Sequence, residues 1–179
     1  MGFYDYSVLN RNGEEVKLAD FRGKVVVVVN TATGCGFTPH YEPLEQMYQA
    51  DHEKGLEILD IPCNQFYGQA PGSDEEIHGF CQLHYHTSFD QMKKAEVNGE
   101  HELPLYTFLK TKQGFKGFHG EAAPMMDKLL SGIDPNYQNH SDIKWNFTKF
   151  IIDRKGEVVA RFEPTAPMDE VRSFVESLL

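Results

Sequence analysis

The chain contains one long apolar run, from Val25 to Asn30, in which five valines follow one another without a polar residue between them. A strand that is apolar on both faces is typical of parallel pairing in a sheet with helices on either side. Residues Tyr41 to Tyr48 then carry apolar side chains at helical spacing, and a second apolar strand follows over Gly55 to Ile61. This pattern predicts a right-handed strand–helix–strand crossover.

Weaker patterns on both sides of this unit predict the remaining elements. The pair Asn12 and Gly13, between two apolar segments, indicates an N-terminal hairpin. Ser73 and Glu76 have the spacing of a capping box and predict a helix that carries Cys81. The other predicted elements are hairpin strands over Tyr4–Leu9 and Val16–Leu18, an extended piece over Met92–Val97, a helix over Leu103–Lys110, strands over Trp145–Asp153 and Glu157–Phe162, and a last helix that carries Val171 to Leu178.

The order of these elements, a βαβ unit followed by a ββα unit, is the thioredoxin arrangement. A length of 179 residues corresponds to about one domain with a substantial core. We therefore predict an α/β protein with a single thioredoxin-like domain over residues 1–179, in which helices flank a central mixed sheet. The N-terminal hairpin is an addition to that fold. The Gly-rich polar stretch 111–144 is predicted to be a surface insertion.

Composition and charge exclude several functional classes. The net charge of -10, from 17 basic and 27 acidic residues, argues against nucleic acid or an anionic membrane surface as partner. No apolar run has the roughly 18 residues that a membrane span needs, and the first residues do not resemble a secretory signal. Three cysteines are too few for a disulfide framework. We therefore expect a cytoplasmic protein with reduced cysteines and no membrane partner.

Cys35 is the candidate for chemistry because it follows the buried strand, in a loop of small residues before a helix. A thiol at a helix N-terminus ionises more readily, and the neighbouring glycines leave room for a small molecule. Cys35 to Thr38 lacks a second cysteine, so a thioredoxin-type dithiol is excluded, and no pattern suggests the triad of a cysteine hydrolase. No metal-ligand spacing surrounds it, so neither a metal nor another cofactor is expected. A thiol peroxidase is the remaining chemistry.

Three separated blocks carry a family resemblance, namely NTATGCGFTPHY from Asn30, PCNQFYGQAPG from Pro62, and WNFTKF from Trp145. They are similar to the blocks of the glutathione peroxidase family in its cysteine-containing form. The resemblance implies that Cys35 attacks the hydroperoxide and that Gln69, Trp145 and Asn146 surround it. Their amide and indole N–H groups are donors without a competing charge. Tyr67 and Ala70 depart from the family pattern, at the rim of the expected pocket.

The resemblance also implies a second cysteine and a reductant. Family members that use thioredoxin carry a cysteine in the helix after the glutamine block, and Cys81 matches that place. The implied cycle passes through a Cys35 sulfenic acid and a Cys35–Cys81 disulfide that thioredoxin resets, with glutathione as the alternative reductant. A peroxide sensor that passes its oxidation to a partner protein uses the same cysteine and stays open. Cys63 is interpreted as structural, and the pattern alone also allows Cys81 to be a core residue.

The length of the 111–144 segment predicts the substrate range. In the resembled family, compact members that lack added sequence here tend to accept lipid hydroperoxides, whereas a longer segment accompanies assembly or a more covered site. The resemblance therefore predicts better rates with hydrogen peroxide and small organic hydroperoxides than with phospholipid hydroperoxides.

Overall fold

A computed structural model describes all 179 residues of the chain. Its strands are β1 (Ser7–Leu9), β2 (Glu15–Lys17), β3 (Val25–Thr31), β4 (Leu56–Pro62), β5 (Lys149–Ile152) and β6 (Val158–Phe162). Its α-helices are α1 (Tyr41–Asp51), α2 (Asp74–Tyr85), α3 (Pro104–Lys112), α4 (Ala123–Ile133) and α5 (Met168–Leu178). None of these helices is both long and apolar enough to cross a membrane.

The central sheet has the strand order β4-β3-β5-β6. Strand β3 pairs in parallel with β4 and antiparallel with β5, so that Val27 lies between Ile58 and Ile151. Every residue of β3 is buried, as its uninterrupted valines require for a strand covered on both faces. The mixed sheet with flanking helices confirms the predicted α/β, thioredoxin-like fold.

The crossover from β3 through α1 to β4 places the loop of Cys35 at the carboxyl end of the sheet. Helix α1 buries Tyr41, Leu44 and Met47 against the sheet, which is the face that the spacing predicts. The turn after α1 ends at Gly55, whose φ of 107° is readily available only to glycine. A Cβ at this position would also lie 2.7 Å from the guanidinium of Arg154.

Two predicted strand starts lie several residues from the observed ones, and one predicted extended piece forms no regular strand. The first hairpin strand begins at Ser7, since Phe3–Asp5 form a short 3₁₀ helix. The extended piece after the α2 helix makes only isolated bridges, one of which joins Met92 to Asn10. Strand β5 begins at Lys149 rather than at Trp145, because Phe147 has a φ of 66°, which a strand cannot include.

The segment 111–144 forms helix α4 and a short 3₁₀ helix over Tyr137–Asn139. Met126 and Leu130 of α4 are buried in the same core cluster as the central sheet. The opposite side of the helix is open, with Met125 and Ile133 more than half exposed. The segment therefore lies on the surface but packs its inner side against the domain.

Candidate active site

The loop that carries Cys35 is shaped by hydrogen bonds within it. The Thr38 hydroxyl accepts a hydrogen bond from the Cys35 N–H at 2.9 Å and donates one to the Ala32 carbonyl at 2.8 Å. The Phe37 N–H in turn donates to the Cys35 sulfur at 3.3 Å. Cys35 is only 7% exposed, so its sulfur is reached from solvent through a small opening. The loop thus presents a nearly buried thiol with a backbone donor already directed at it.

Gln69 reaches this loop through its backbone and its side chain. Its carbonyl accepts a hydrogen bond from the Gly34 N–H at 2.8 Å. A Cβ on Gly34 would lie 3.2 Å from that carbonyl oxygen, closer than most such contacts, so glycine permits this approach. The Gln69 side-chain oxygen accepts a hydrogen bond from the Asn146 amide at 3.1 Å. The second and third sequence blocks therefore meet beside the loop of the first.

Trp145 and Asn146 lie in a turn that is tied to the end of β3. The Phe147 N–H donates to the Asn30 carbonyl at 2.6 Å, and the Asn30 side-chain amide donates to the Trp145 carbonyl at 3.2 Å. The Thr148 hydroxyl donates to the same carbonyl at 2.9 Å. These bonds hold the positive-φ turn in place and direct the Trp145 and Asn146 side chains towards the sulfur. The structure thus brings Gln69, Trp145 and Asn146 together beside the loop of Cys35, and the Trp145 and Asn146 side chains reach its sulfur.

Two opposing effects act on the thiol of Cys35. Burial is the larger and raises the pKa of this thiol above its ordinary value. The Phe37 N–H, the Trp145 and Asn146 side chains and the charge of Lys149 each lower this pKa, because they stabilise the thiolate. The neutral donors therefore offset part of the desolvation that the enclosed site imposes.

Lys149 and His40 belong to this environment, although the sequence analysis missed both. Lys149 has no exposed surface, and its ammonium donates to the His40 ring at 2.9 Å and to the Phe147 carbonyl at 2.7 Å. Burial lowers the pKa of Lys149 to about 7. Burial and the charge of Lys149 together lower the pKa of His40 to about 3, so that this ring is neutral. The available signal was a lysine in a strand whose other residues are all apolar.

Cys81 lies elsewhere, on the buried face of α2 and beside a buried carboxylate. Its thiol contacts the hydroxyl of Tyr41, and that hydroxyl donates to Asp60 at 2.8 Å. Burial, and then the charge of Asp60, raise the pKa of Cys81 to about 12. Burial also raises the pKa of Asp60, to about 6, although Thr31 donates to this carboxylate at 2.5 Å. None of these groups contacts Cys35, and all the cysteines are free thiols.

Cys63 has the surroundings of a structural residue. It has no exposed surface, and its thiol donates to the Gln65 side chain at 3.5 Å. Burial raises the pKa of Cys63 to about 11, so its thiol is un-ionised near neutral pH. No group of three or more His, Cys, Asp or Glu side chains is placed to hold a metal ion.

A cavity of about 290 Å³ lies beside Trp145, on the side covered by the 111–144 segment. Its apolar and aromatic lining consists mainly of Phe66, Tyr67, Leu130, Ile133, Tyr137 and Trp145. The cavity shares Trp145 with the site of Cys35.

A lone buried cysteine after the first central strand of a thioredoxin-like fold, faced by neutral donors, defines a thiol-based peroxidase. The glutathione peroxidase family model matches residues 3–110. The chain is 46% identical over 179 residues to a glutathione peroxidase of Lactococcus lactis subsp. cremoris, with 100% of both chains covered. It is 42% identical over 176 residues to the hydroperoxy fatty acid reductase gpx1 of Synechocystis sp., covering 98% of this chain and 95% of that one.

The solved structures agree with these sequence relatives. The crystal structure of T. cruzi GPX1 superimposes with a TM-score of 0.70 at 28% identity, covering 99% of this chain and 96% of the other. The chain therefore belongs to the glutathione peroxidase family and is a peroxidase, which confirms the resemblance seen in the sequence.

Proposed function

We propose that Cys35 is the nucleophile that reduces hydrogen peroxide and organic hydroperoxides. The observation that supports this most is a single nearly buried thiol that the Trp145 and Asn146 side chains contact, with Gln69 hydrogen-bonded to Asn146. The thiolate sulfur attacks the terminal oxygen, the O–O bond breaks, and the departing oxygen takes a proton to leave as water or an alcohol. Cys35 is then a sulfenic acid. The neutral donors stabilise the charge that moves from sulfur to the departing oxygen.

The donors give a first testable expectation. Asn146→Ala should slow the reaction with peroxide by roughly ten- to a hundredfold, because a hydrogen bond to a charged group contributes about 1.5–3 kcal/mol. Gln69→Ala should slow it as well, because it removes the oxygen that accepts from the Asn146 amide at 3.1 Å. The measurement is the single-turnover rate constant with hydrogen peroxide, followed by the intrinsic fluorescence of the protein. Reduction of the oxidised enzyme should change much less. An unchanged peroxide rate in both variants would remove these side chains from the mechanism.

In the proposed second half-reaction Cys81 attacks the sulfenic acid, releases water and forms a Cys35–Cys81 disulfide. Thioredoxin is the proposed reductant, since it exchanges with such a disulfide through its own dithiol. Glutathione is an anion, and no exposed basic group that could bind it is among the contacts of Cys35. This supports thioredoxin over glutathione. The small, odd number of cysteines fits a reducing, cytoplasmic location, where thiols stay free. Glutathione-dependent turnover and a peroxide-sensing role are the alternatives.

The decisive experiment compares reductants in parallel. Turnover of hydrogen peroxide is measured with thioredoxin, thioredoxin reductase and NADPH, and separately with glutathione, glutathione reductase and NADPH. Faster turnover in the thioredoxin assay is expected. Faster turnover with glutathione would overturn the choice of reductant. Oxidation of Cys35 without turnover in either assay would favour the sensor.

The size of the cavity beside Trp145 gives the expected substrate range. A volume of about 290 Å³ holds a small organic group but not a phospholipid. We therefore expect higher kcat/KM with hydrogen peroxide and cumene hydroperoxide than with phosphatidylcholine hydroperoxide. A free fatty acid hydroperoxide belongs in the same assay, because a relative is named for that activity. A preference for the phospholipid would contradict the expectation.

A further inference from the structure

Lys149 is a fully buried lysine without an ion pair. It lies in β5 between Val29 of β3 and Phe162 of β6, in the interior of the central sheet. No carboxylate oxygen lies within 4.0 Å of its ammonium, whereas the similarly buried Lys110 pairs with two carboxylates. Burying an ammonium without a counter-ion costs several kcal/mol, on the order of the penalties known for buried charges. Ionisable groups in such an environment cluster at functional sites, where their charge or proton is used.

The neutral groups around Lys149 hold its ammonium in one position. The His40 ring nitrogen accepts from it at 2.9 Å and the Phe147 carbonyl at 2.7 Å. His40 comes from the 3₁₀ turn that follows Cys35, and Phe147 from the turn that carries Trp145 and Asn146. The lysine therefore joins the two segments that form the peroxide site, and its position is fixed relative to the sulfur.

The charged groups that face Lys149 are Glu163, at the end of β6, and Cys35, from the loop after β3. Glu163 has the stronger effect, but its carboxylate already pairs with Arg161 at 2.7 Å and also faces Lys144. His40, from the 3₁₀ turn, is the remaining titratable group and is neutral. The thiolate of Cys35 is thus the one anion near Lys149 that no other cation neutralises.

We infer that Lys149 is a positioning residue for peroxide reduction, whose ammonium stabilises the thiolate of Cys35. This inference rests on the proposed role of Cys35 as the nucleophile. When Cys35 loses its proton, the new negative charge favours the protonated form of Lys149, so the two groups titrate as a coupled pair. A positive charge near the sulfur adds to the neutral donors that contact it, and loss of that charge makes the thiolate harder to form.

The test uses alkylation, which needs no peroxide and therefore does not depend on the peroxidase activity. In a Cys63→Ser, Cys81→Ser protein, only Cys35 reacts with iodoacetamide, and its second-order rate constant is measured across pH. Lys149→Met should move the alkylation profile to higher pH and lower the rate near neutral pH by about tenfold or more. The two profiles should converge at alkaline pH, where both thiols are ionised. Lys149→Arg, which keeps the charge, should restore most of the rate.

Lys110→Met is the matched control, because it also removes a buried lysine but one whose partners are Glu102 and Asp142. It should lower stability and leave the alkylation profile in place. An unchanged alkylation profile in folded Lys149→Met would overturn the inference. An alkylation rate lowered by the same factor at every pH would also overturn it, because that result indicates a purely structural role.

A second measurement leaves Lys149 intact and decides the question even if its variants do not fold. Selective ¹³C labelling of lysine reports the protonation of its ammonium by NMR. Cys35→Ser removes the thiolate and should lower the pKa of Lys149, because linkage makes the interaction reciprocal. An identical titration of Lys149 in both proteins would overturn the inference.

Discussion

Cys35→Ser is expected to reduce peroxidase activity to the level of protein-free buffer while the fold persists. A serine hydroxyl does not ionise near neutral pH, so it provides no nucleophile for the O–O bond. The substitution changes one atom at a position that is 7% exposed, so the packing of the loop should be preserved. The measurement is NADPH-coupled turnover of hydrogen peroxide, with circular dichroism and thermal unfolding as the test of the fold.

Cys63→Ser is the matched control, because it makes the same one-atom change at another buried cysteine. Its turnover should remain within about twofold of the parent, since Cys63 contacts Gln65 rather than the peroxide site. Turnover that survives in a folded Cys35→Ser protein would refute the role of Cys35. Turnover lost equally in the Cys63 variant would show that the assay reports folding.

The second large effect is expected from Cys81→Ser. Thioredoxin-driven turnover should fall by at least about a hundredfold, because the sulfenic acid then lacks the thiol with which it condenses. The first single-turnover oxidation by peroxide should keep its rate, since no contact of Cys35 involves Cys81. Mass mapping after one equivalent of peroxide should find a Cys35–Cys81 disulfide in the parent protein. Undiminished thioredoxin-driven turnover in Cys81→Ser would assign the resolving step to another thiol.

We expect this proposed step to require local opening of α2. A disulfide needs Cα atoms within about 7 Å, and the two thiols have separate sets of neighbours in the reduced protein. The helix buries few side chains, since Ile77 and Cys81 are its only buried residues and Leu83 is largely exposed. Its end at His86, with a φ of 52°, is a turn that a non-glycine residue adopts at some cost. Local opening of such a helix costs much less than global unfolding.

Local patterns were sufficient to predict the central architecture. A strand with one exposed face would leave some of the β3 valines in water. Their burial and the parallel pairing therefore follow from the sequence. The capping box at Ser73 fixed the start of α2 correctly, with its hydroxyl accepting from Glu76 at 3.1 Å. These features depend on neighbours in the chain, which a sequence displays directly.

The errors have a common physical origin in contacts between distant segments. The turn at Trp145 resembles a strand in its own sequence, and only the bonds from Asn30 hold Phe147 at a positive φ. Lys149 resembles a strand-end charge, and only the fold shows that it is fully buried and bonded to His40, in the turn after Cys35. The family resemblance supplied Gln69 and Asn146, because nothing in their local sequence separates a catalytic amide from a turn residue.

In the proposed cycle, the burial of Cys81 would also determine how long oxidised Cys35 persists. A thiol that is enclosed beside Asp60 and un-ionised near neutral pH attacks only in the fraction of molecules whose helix has opened. During that delay the sulfenic acid is a target for a second peroxide molecule, which converts it to the sulfinic acid that thiols do not reduce. In that cycle, the stability of α2, including the contact of Tyr41 with the Cys81 thiol, would set a peroxide concentration below which the enzyme cycles and above which it is inactivated.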